Sequence, residues 1–167
     1  TPYDESGWCF VEASLSSVLK SSTRRVDLGK FTSDALSRMP TVPWAIELCT
    51  TGSRPPLRTP QRVADLLEDK IFFARADVPT VALLYHDFFE AVAPWQRRLE
   101  LPHLGWGDTE AIEVSQGLPR FVRLEKLDLS HNQIAAQGVK AIAEAIRGML
   151  ALRSVRCALS SSPASLT

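Results

Sequence analysis

The chain has no surplus of either charge: its 167 residues carry 19 Lys and Arg against 19 Asp and Glu. A balanced chain sets up no global field for nucleic acid or anionic lipid, so no nucleic-acid partner is expected. Long apolar runs are missing too. The longest, Ile71-Phe72-Phe73-Ala74 and Val81-Ala82-Leu83-Leu84-Tyr85, fall far short of the roughly 20 residues that cross a bilayer, so no membrane insertion is expected. Cysteine is scarce and odd in number: Cys9, Cys49 and Cys157, with no CxxC pair. This excludes a disulfide framework and leaves three small buried thiols, as in a reducing, cytoplasmic compartment. His86, His103 and His131 are scattered, with no HxxxH and no cysteine at ligand spacing, so no metal site is expected. There is no Walker loop, Rossmann glycine triplet or nucleophile elbow, and the Gly105-Trp106-Gly107 turn is too short to cradle a phosphate; no cofactor is expected.

What is present is globular composition, 45% hydrophobic and 23% charged, enough at this length for one real core. The chain begins at Thr1 without an initiator methionine or a basic-then-apolar leader, which is expected of a processed chain or a piece of a longer one. Its last residues, 161–167, are small and polar and read as a frayed tail.

Laying the chain over itself reveals a repeat at an offset of 28. Leu124 falls on Leu152, Leu127 on Val155 and Leu129 on Cys157; backward, Leu99 falls on Leu127, Leu101 on Leu129 and Trp106 on Ile134. The middle copy is clearest. Leu127 and Leu129 alternate with Asp128 as a short strand should, two side chains inward and one toward the open side. Asn132 ends the strand, Ile134 follows, and Gly138 opens a segment in which Val139, Ile142, Ala143 and Ile146 recur at helical spacing. The preceding copy, roughly 96–123, has Leu104 where Asn132 would be matched, and the following copy stops near Ser160 before a helix.

The stretch Leu124-x-x-Leu127-x-Leu129-x-x-Asn132-x-Ile134 resembles the leucine-rich repeat LxxLxLxxNxI, in the longer ribonuclease-inhibitor type with an outer helix. The resemblance implies a solenoid of parallel strands. It also implies that Asn132 buries its amide and ties neighbouring turns together through backbone groups. Leu124, Leu127, Leu129, Asn132, Ile134, Gly138 and Leu152 would be the structural positions. Each unit hides its apolar face only against a neighbour, so the stack needs a cap.

Residues 1–95 supply that cap as a mainly helical region. Ser6 reads as an N-cap before a stripe of Trp8, Val11, Leu15, Val18 and Leu19. Arg24 to Gly29 reads as a short strand and Ser33 to Arg38 as a helix. Prolines 40, 43, 55, 56 and 60 make 40–60 an irregular connection, interrupted by Trp44 to Cys49. Thr59-Pro60 starts a helix that buries Val63, Leu66 and Leu67. Asp77-Val78-Pro79 starts another, carrying Val81, Leu84, Tyr85, Phe88 and Phe89 as a lid on the first repeat. Arg54, Arg58 and Arg62 recur every fourth residue and read as a solvated face.

Ser6-Gly7-Trp8-Cys9-Phe10-Val11-Glu12 resembles the S-x-W-C-x-x-E stretch of TIR domains. That resemblance would make Glu12 the catalytic carboxylate of an NAD-cleaving site. It covers about ten residues, and a lone carboxylate without a positioned substrate does no chemistry, so the chain is not expected to be an enzyme.

The expected fold class is α/β: a short leucine-rich repeat stack over 96–160, capped by N-terminal helices. The expected function is protein–protein recognition through the strand face, with Arg98, Glu100, Lys126, Asp128, His131, Ser154 and Arg156 as contacts. The alternatives are a remnant of a TIR-like NAD-hydrolysing enzyme and a structural subunit of a larger assembly. On the recognition reading, replacing Asp128 and Arg156 together weakens partner capture and leaves the thermal midpoint unchanged.

Overall fold

The computed structural model describes residues 5–20, 43, 49–50 and 54–157. The expected strand at 24–29, helix at 33–38, most of the 40–60 connection and the tail at 161–167 lie outside the described residues.

The first helix, α1, runs Gly7–Leu19, with Ser6 at its N-cap in an extended conformation. Its start is held by backbone: Ile71 N–H donates to Glu5 O at 2.9 Å and Gly7 N–H to Ile71 O at 3.0 Å. Gly7 makes this approach possible, because a Cβ there would lie 2.0 Å from the Phe72 ring. The buried face of α1 is Gly7, Val11, Ser14, Ser17 and Val18. The sequence-based stripe is therefore rotated: Trp8 and Leu19 are exposed. The serines take the inward positions because their hydroxyls donate to carbonyls one turn back, Ser14 to Phe10 O and Ser17 to Ala13 O, which satisfies them in a dry setting.

Helix α2, Pro60–Leu67, begins as the sequence predicts, with Thr59 Oγ1 accepting from Arg62 N–H at 3.3 Å and proline at the first position. Helix α3, Asp77–Val92, buries Val78, Val81, Tyr85 and Phe89. Leu84, expected on that face, is exposed and Phe88 only half-buried, since the 78-81-85-89 series leaves them off the stripe centre. Burial pushes the Tyr85 phenol well above its usual range against the opposing pull of Arg58. It stays protonated and donates to Arg58 O at 2.8 Å.

Three short parallel strands follow: β1 Arg98–Glu100, β2 Lys126–Asp128 and β3 Ser154–Arg156, in the order β1-β2-β3. Helix α4, Asp108–Gly117, joins β1 to β2, and α5, Ala136–Ile146, joins β2 to β3. Parallel neighbours need such crossovers. The register pairs Leu99 with Leu127 and Leu127 with Val155, each step 28 residues in sequence. The ladder bonds recur at the same step: Leu101 N–H donates to Asp128 O at 2.8 Å, and Leu129 N–H to Arg156 O at 2.7 Å. His103 and His131 share a left-handed backbone, φ 57° and 56°, a conformation in which histidine is enriched among non-glycine residues.

Asn132 is buried between the turns that leave β1 and β2. Its Oδ1 accepts from Leu104 N–H at 2.9 Å and Trp106 N–H at 3.2 Å, and its Nδ2 donates to Leu101 O at 2.8 Å and Leu129 O at 3.0 Å. The earlier turn, which has Leu104 in place of an asparagine, is thus served by the amide of the next one. The helices are linked likewise. Asp108, at the start of α4, caps α5: its Oδ1 accepts from Ala135 N–H at 2.7 Å and Gly138 N–H at 2.9 Å. A Cβ at Gly138 would sit 2.7 Å from that oxygen and 2.8 Å from Ala111 Cβ, so glycine lets α5 approach α4.

One apolar core runs through these elements. Leu99, Leu101, Leu127, Leu129, Leu124 and Ile134 are buried between sheet and helices, while Val155 is 39% exposed and Leu152 half-buried. Val155 pairs at the edge of the sheet, which explains why its side chain is less covered than its expected equivalents. Ala143 is also exposed. On the other side Phe89 of α3 meets Phe121 edge-on at 5.9 Å between centroids, and Gly117 of α4 leaves room for Leu57. The described residues therefore form a mixed α/β unit in which α1–α3 share a core with the strands and α4–α5. No helix among them is long and apolar enough to cross a membrane.

Candidate functional site

The side chains that alternate with the buried leucines stand on one exposed face of the sheet. Register sets them in two rows. Arg98, Lys126 and Ser154 are abreast, and Glu100, Asp128 and Arg156 are abreast two residues further along the strands. These six residues, with Leu99 and Leu127 between them, line a shallow depression of about 170 Å³. Six of the seven expected contacts are thereby brought together.

The second row is partly self-satisfied. Arg156 Nη1 lies 3.6 Å from Asp128 Oδ2, and Asp128 Oδ1 accepts from Ser130 Oγ at 2.6 Å and from Ser130 N–H at 3.0 Å. Partial burial alone would raise the Asp128 carboxyl, but the Ser130 hydroxyl and amide and the Arg156 charge together hold it below the usual carboxylate range. A lowered folded value means the stabilisation is complete above the unfolded value, about 3.9 for Asp, and fades as pH falls through the folded one. Asp128→Ala is therefore expected to cost about 1 kcal/mol at pH 7, with the gap to the parent narrowing as pH falls below the ordinary Asp value and through the lowered folded one; denaturant titrations at pH 7 and at successively lower pH check this. Asp128 holds the following turn as well as standing on the surface, so replacing Asp128 and Arg156 together is expected to lower the thermal midpoint, where the sequence alone implies no change.

The seventh residue, His131, lies at the end of β2 rather than in either row. Its ring stacks on His103, 4.1 Å between centroids and 6° from parallel. The histidines at 103 and 131 are therefore not scattered; they are one repeat step apart and form an exposed pair. His103 is the member that sequence reasoning left out, and the signal was its distance from His131. Among the described residues no group of three or more His, Cys, Asp or Glu is arranged to hold a metal ion.

Beside β1 a second depression of about 250 Å³ is lined by Val18, Leu19, Lys20, Arg54, Arg98, Leu99 and Glu100. Arg54 is 4% exposed. Its Nη2 donates to Ser17 O, its Nη1 to Glu100 O at 3.4 Å, and its carbonyl accepts from Trp106 Nε1 at 3.1 Å. Arg58 and Arg62 converge on Glu113 of α4 at 2.9 and 3.2 Å. Only Arg62 of the three is exposed, so the expected solvated arginine face is instead a set of struts joining the N-terminal segment to β1 and α4. Their fourth-residue spacing straddles the start of α2, so it does not mark one helix face.

Glu12 lies on the exposed side of α1. Cys49 is buried, whereas Cys9 and Cys157 are half-buried rather than fully covered, and burial pushes the Cys157 thiol up. Compared with family models, curated proteins and solved structures, the chain has no match.

Proposed function

We propose that the chain is a recognition module of the leucine-rich repeat kind, ribonuclease-inhibitor type, that binds a protein partner through its strand face. The observation that carries this reading is the pair of in-register polar rows, Arg98-Lys126-Ser154 and Glu100-Asp128-Arg156, on an exposed face backed by buried leucines. Side chains mounted on a parallel ladder are held in fixed spacing, which lowers the ordering cost of binding. The reading is further supported by the 28-residue ladder step, by the helix after each of the first two strands and by the backbone bonds of the Asn132 amide across two turns, the role that an asparagine has at this position in such repeats.

The face is small. Two interstrand gaps of about 4.8 Å make it roughly 10 Å wide, whereas a stable complex buries about 800 Å² per partner. The partner accordingly reaches over the rims, onto the His103–His131 pair beyond the ends of β1 and β2 and into the cleft alongside β1 beside Val18 and Lys20. The test is a photoreactive residue placed at Lys126 or, as a control, at Lys140 on the exposed side of α5. Irradiation in native extract is expected to give a discrete protein adduct from position 126, suppressed by excess unmodified chain, and none from 140. Adducts from 140 alone, or none from 126, would overturn the reading.

A further inference from the structure

Arg98 and Lys126 are directly paired across β1 and β2 and both are exposed. Like charges placed abreast on neighbouring strands destabilise a sheet. Among the described residues neither has a carboxylate within ion-pair distance, although Arg97, one residue away, is bridged to Glu125 at 3.2 Å. The next rung position is Ser154, a neutral hydroxyl donor. The first row is thus a doubly positive site ending in a hydrogen-bond donor. In the second row Arg156 is taken up by Asp128, and among the described residues the Glu100 carboxylate has no cation within ion-pair distance, although the Arg54 guanidinium reaches its backbone carbonyl.

From this arrangement we infer that the strand face takes an acidic side chain of a partner polypeptide on Arg98 and Lys126, with a basic side chain of the same segment on Glu100. This rests on the strand face being the recognition surface. The spacing fits a peptide: the rows are two residues apart, about 6.6 Å along the strands, the separation of alternate side chains on an extended segment. It disfavours a phosphate chain, because its charges are all negative and those following the one on the first row would meet Glu100 and Asp128 in the second. The site is matched to a segment of mixed charge.

Four extended ten-residue peptides serve as probes, identical except for a central Glu-Thr-Lys, Glu-Thr-Glu, Lys-Thr-Lys or Gln-Thr-Gln, with inorganic phosphate as a fifth. Each is titrated into the full chain at low salt while backbone amide resonances are followed. The Glu-Thr-Lys peptide is expected to bind tightest and to shift the β1 and β2 signals, leaving α5 in place. Arg98→Gln combined with Lys126→Gln is expected to weaken it about fivefold, and Lys126→Gln alone to leave the thermal midpoint unchanged or slightly raised, because a repulsion is removed. Equal binding of phosphate, tighter binding of Glu-Thr-Glu, or a fall in the midpoint of Lys126→Gln would each overturn the inference. If no peptide shifts β1 and β2 while position 126 still photolinks to a protein, the charge assignment fails and the recognition reading stands; loss of both removes the reading itself.

Discussion

Asn132→Ala is expected to lower the unfolding free energy by about 3 kcal/mol and the thermal midpoint by roughly 10 °C. The side chain is 7% exposed and serves two amides and two carbonyls drawn from both the 101–106 and the 129–132 turns. Truncation leaves these groups dry and unpaired, and an unmet buried polar group costs more than a lost hydrogen bond gains. Asn132→Asp separates the two halves of the amide. It keeps the acceptor for Leu104 and Trp106 but sets a carboxylate oxygen against the carbonyls of Leu101 and Leu129. That variant is expected to be at least as unstable as Asn132→Ala at neutral pH and to regain stability in acid, where a protonated carboxyl donates one of the missing bonds; the sign follows from a folded value raised by burial and facing carbonyls. Denaturant unfolding of both variants checks it, and a loss under about 1 kcal/mol for Asn132→Ala would mean the turns are held by other means.

Phe89→Ala is expected to cost about 3–5 kcal/mol, and its effect is expected to reach across the chain. Phe89 is fully buried in α3, stacked near Tyr85 at 6.0 Å and edge-on to Phe121 at 5.9 Å. It therefore joins the N-terminal helices to the segment that leads into β2. With one core, hydrogen exchange in the variant should speed up together in α1, α3, β2 and α5. If α3 exchanges quickly while β2 and α5 keep the parent's protection, the N-terminal helices are a separately folding layer on the strands.

The part of the fold that was legible in the sequence is the part governed by period. Two strand–helix crossovers and a 28-residue step follow from aligning Leu99, Leu127 and Val155, because parallel pairing repeats whatever the strand positions repeat. The start of α2 was legible for a local reason: Thr59-Pro60 is both cap and first turn. What was hidden depended on contacts distant in sequence. The rotation of α1 came from Ser14 and Ser17, whose hydroxyls look solvent-facing until their own helix satisfies them. The capping of α5 by Asp108 was invisible because donor and acceptor lie 27 and 30 residues apart, at the starts of two different helices. The arginines at 54 and 58 read as solvated, yet they are anchored to carbonyls and to Glu113 that only the fold brings near. The six strand-face residues were legible from alternation alone, whereas their electrical inequality was not: Asp128 is engaged by Ser130 and Arg156, while Arg98 and Lys126 stand abreast without an anion among the described residues.

Recognition through the strand face depends on Arg98, Lys126 and Ser154 standing side by side, and an isotope-edited NOE spectrum of the chain measures that placement most directly. Backbone cross-peaks are expected to link 98 to 126 and 126 to 154, together with slow exchange of the Leu101 and Leu129 amides that donate to the carbonyls of Asp128 and Arg156. Cross-peaks slipped by one residue would turn Leu127 outward and Lys126 inward. Slipped peaks, or none between the three segments, would contradict the account.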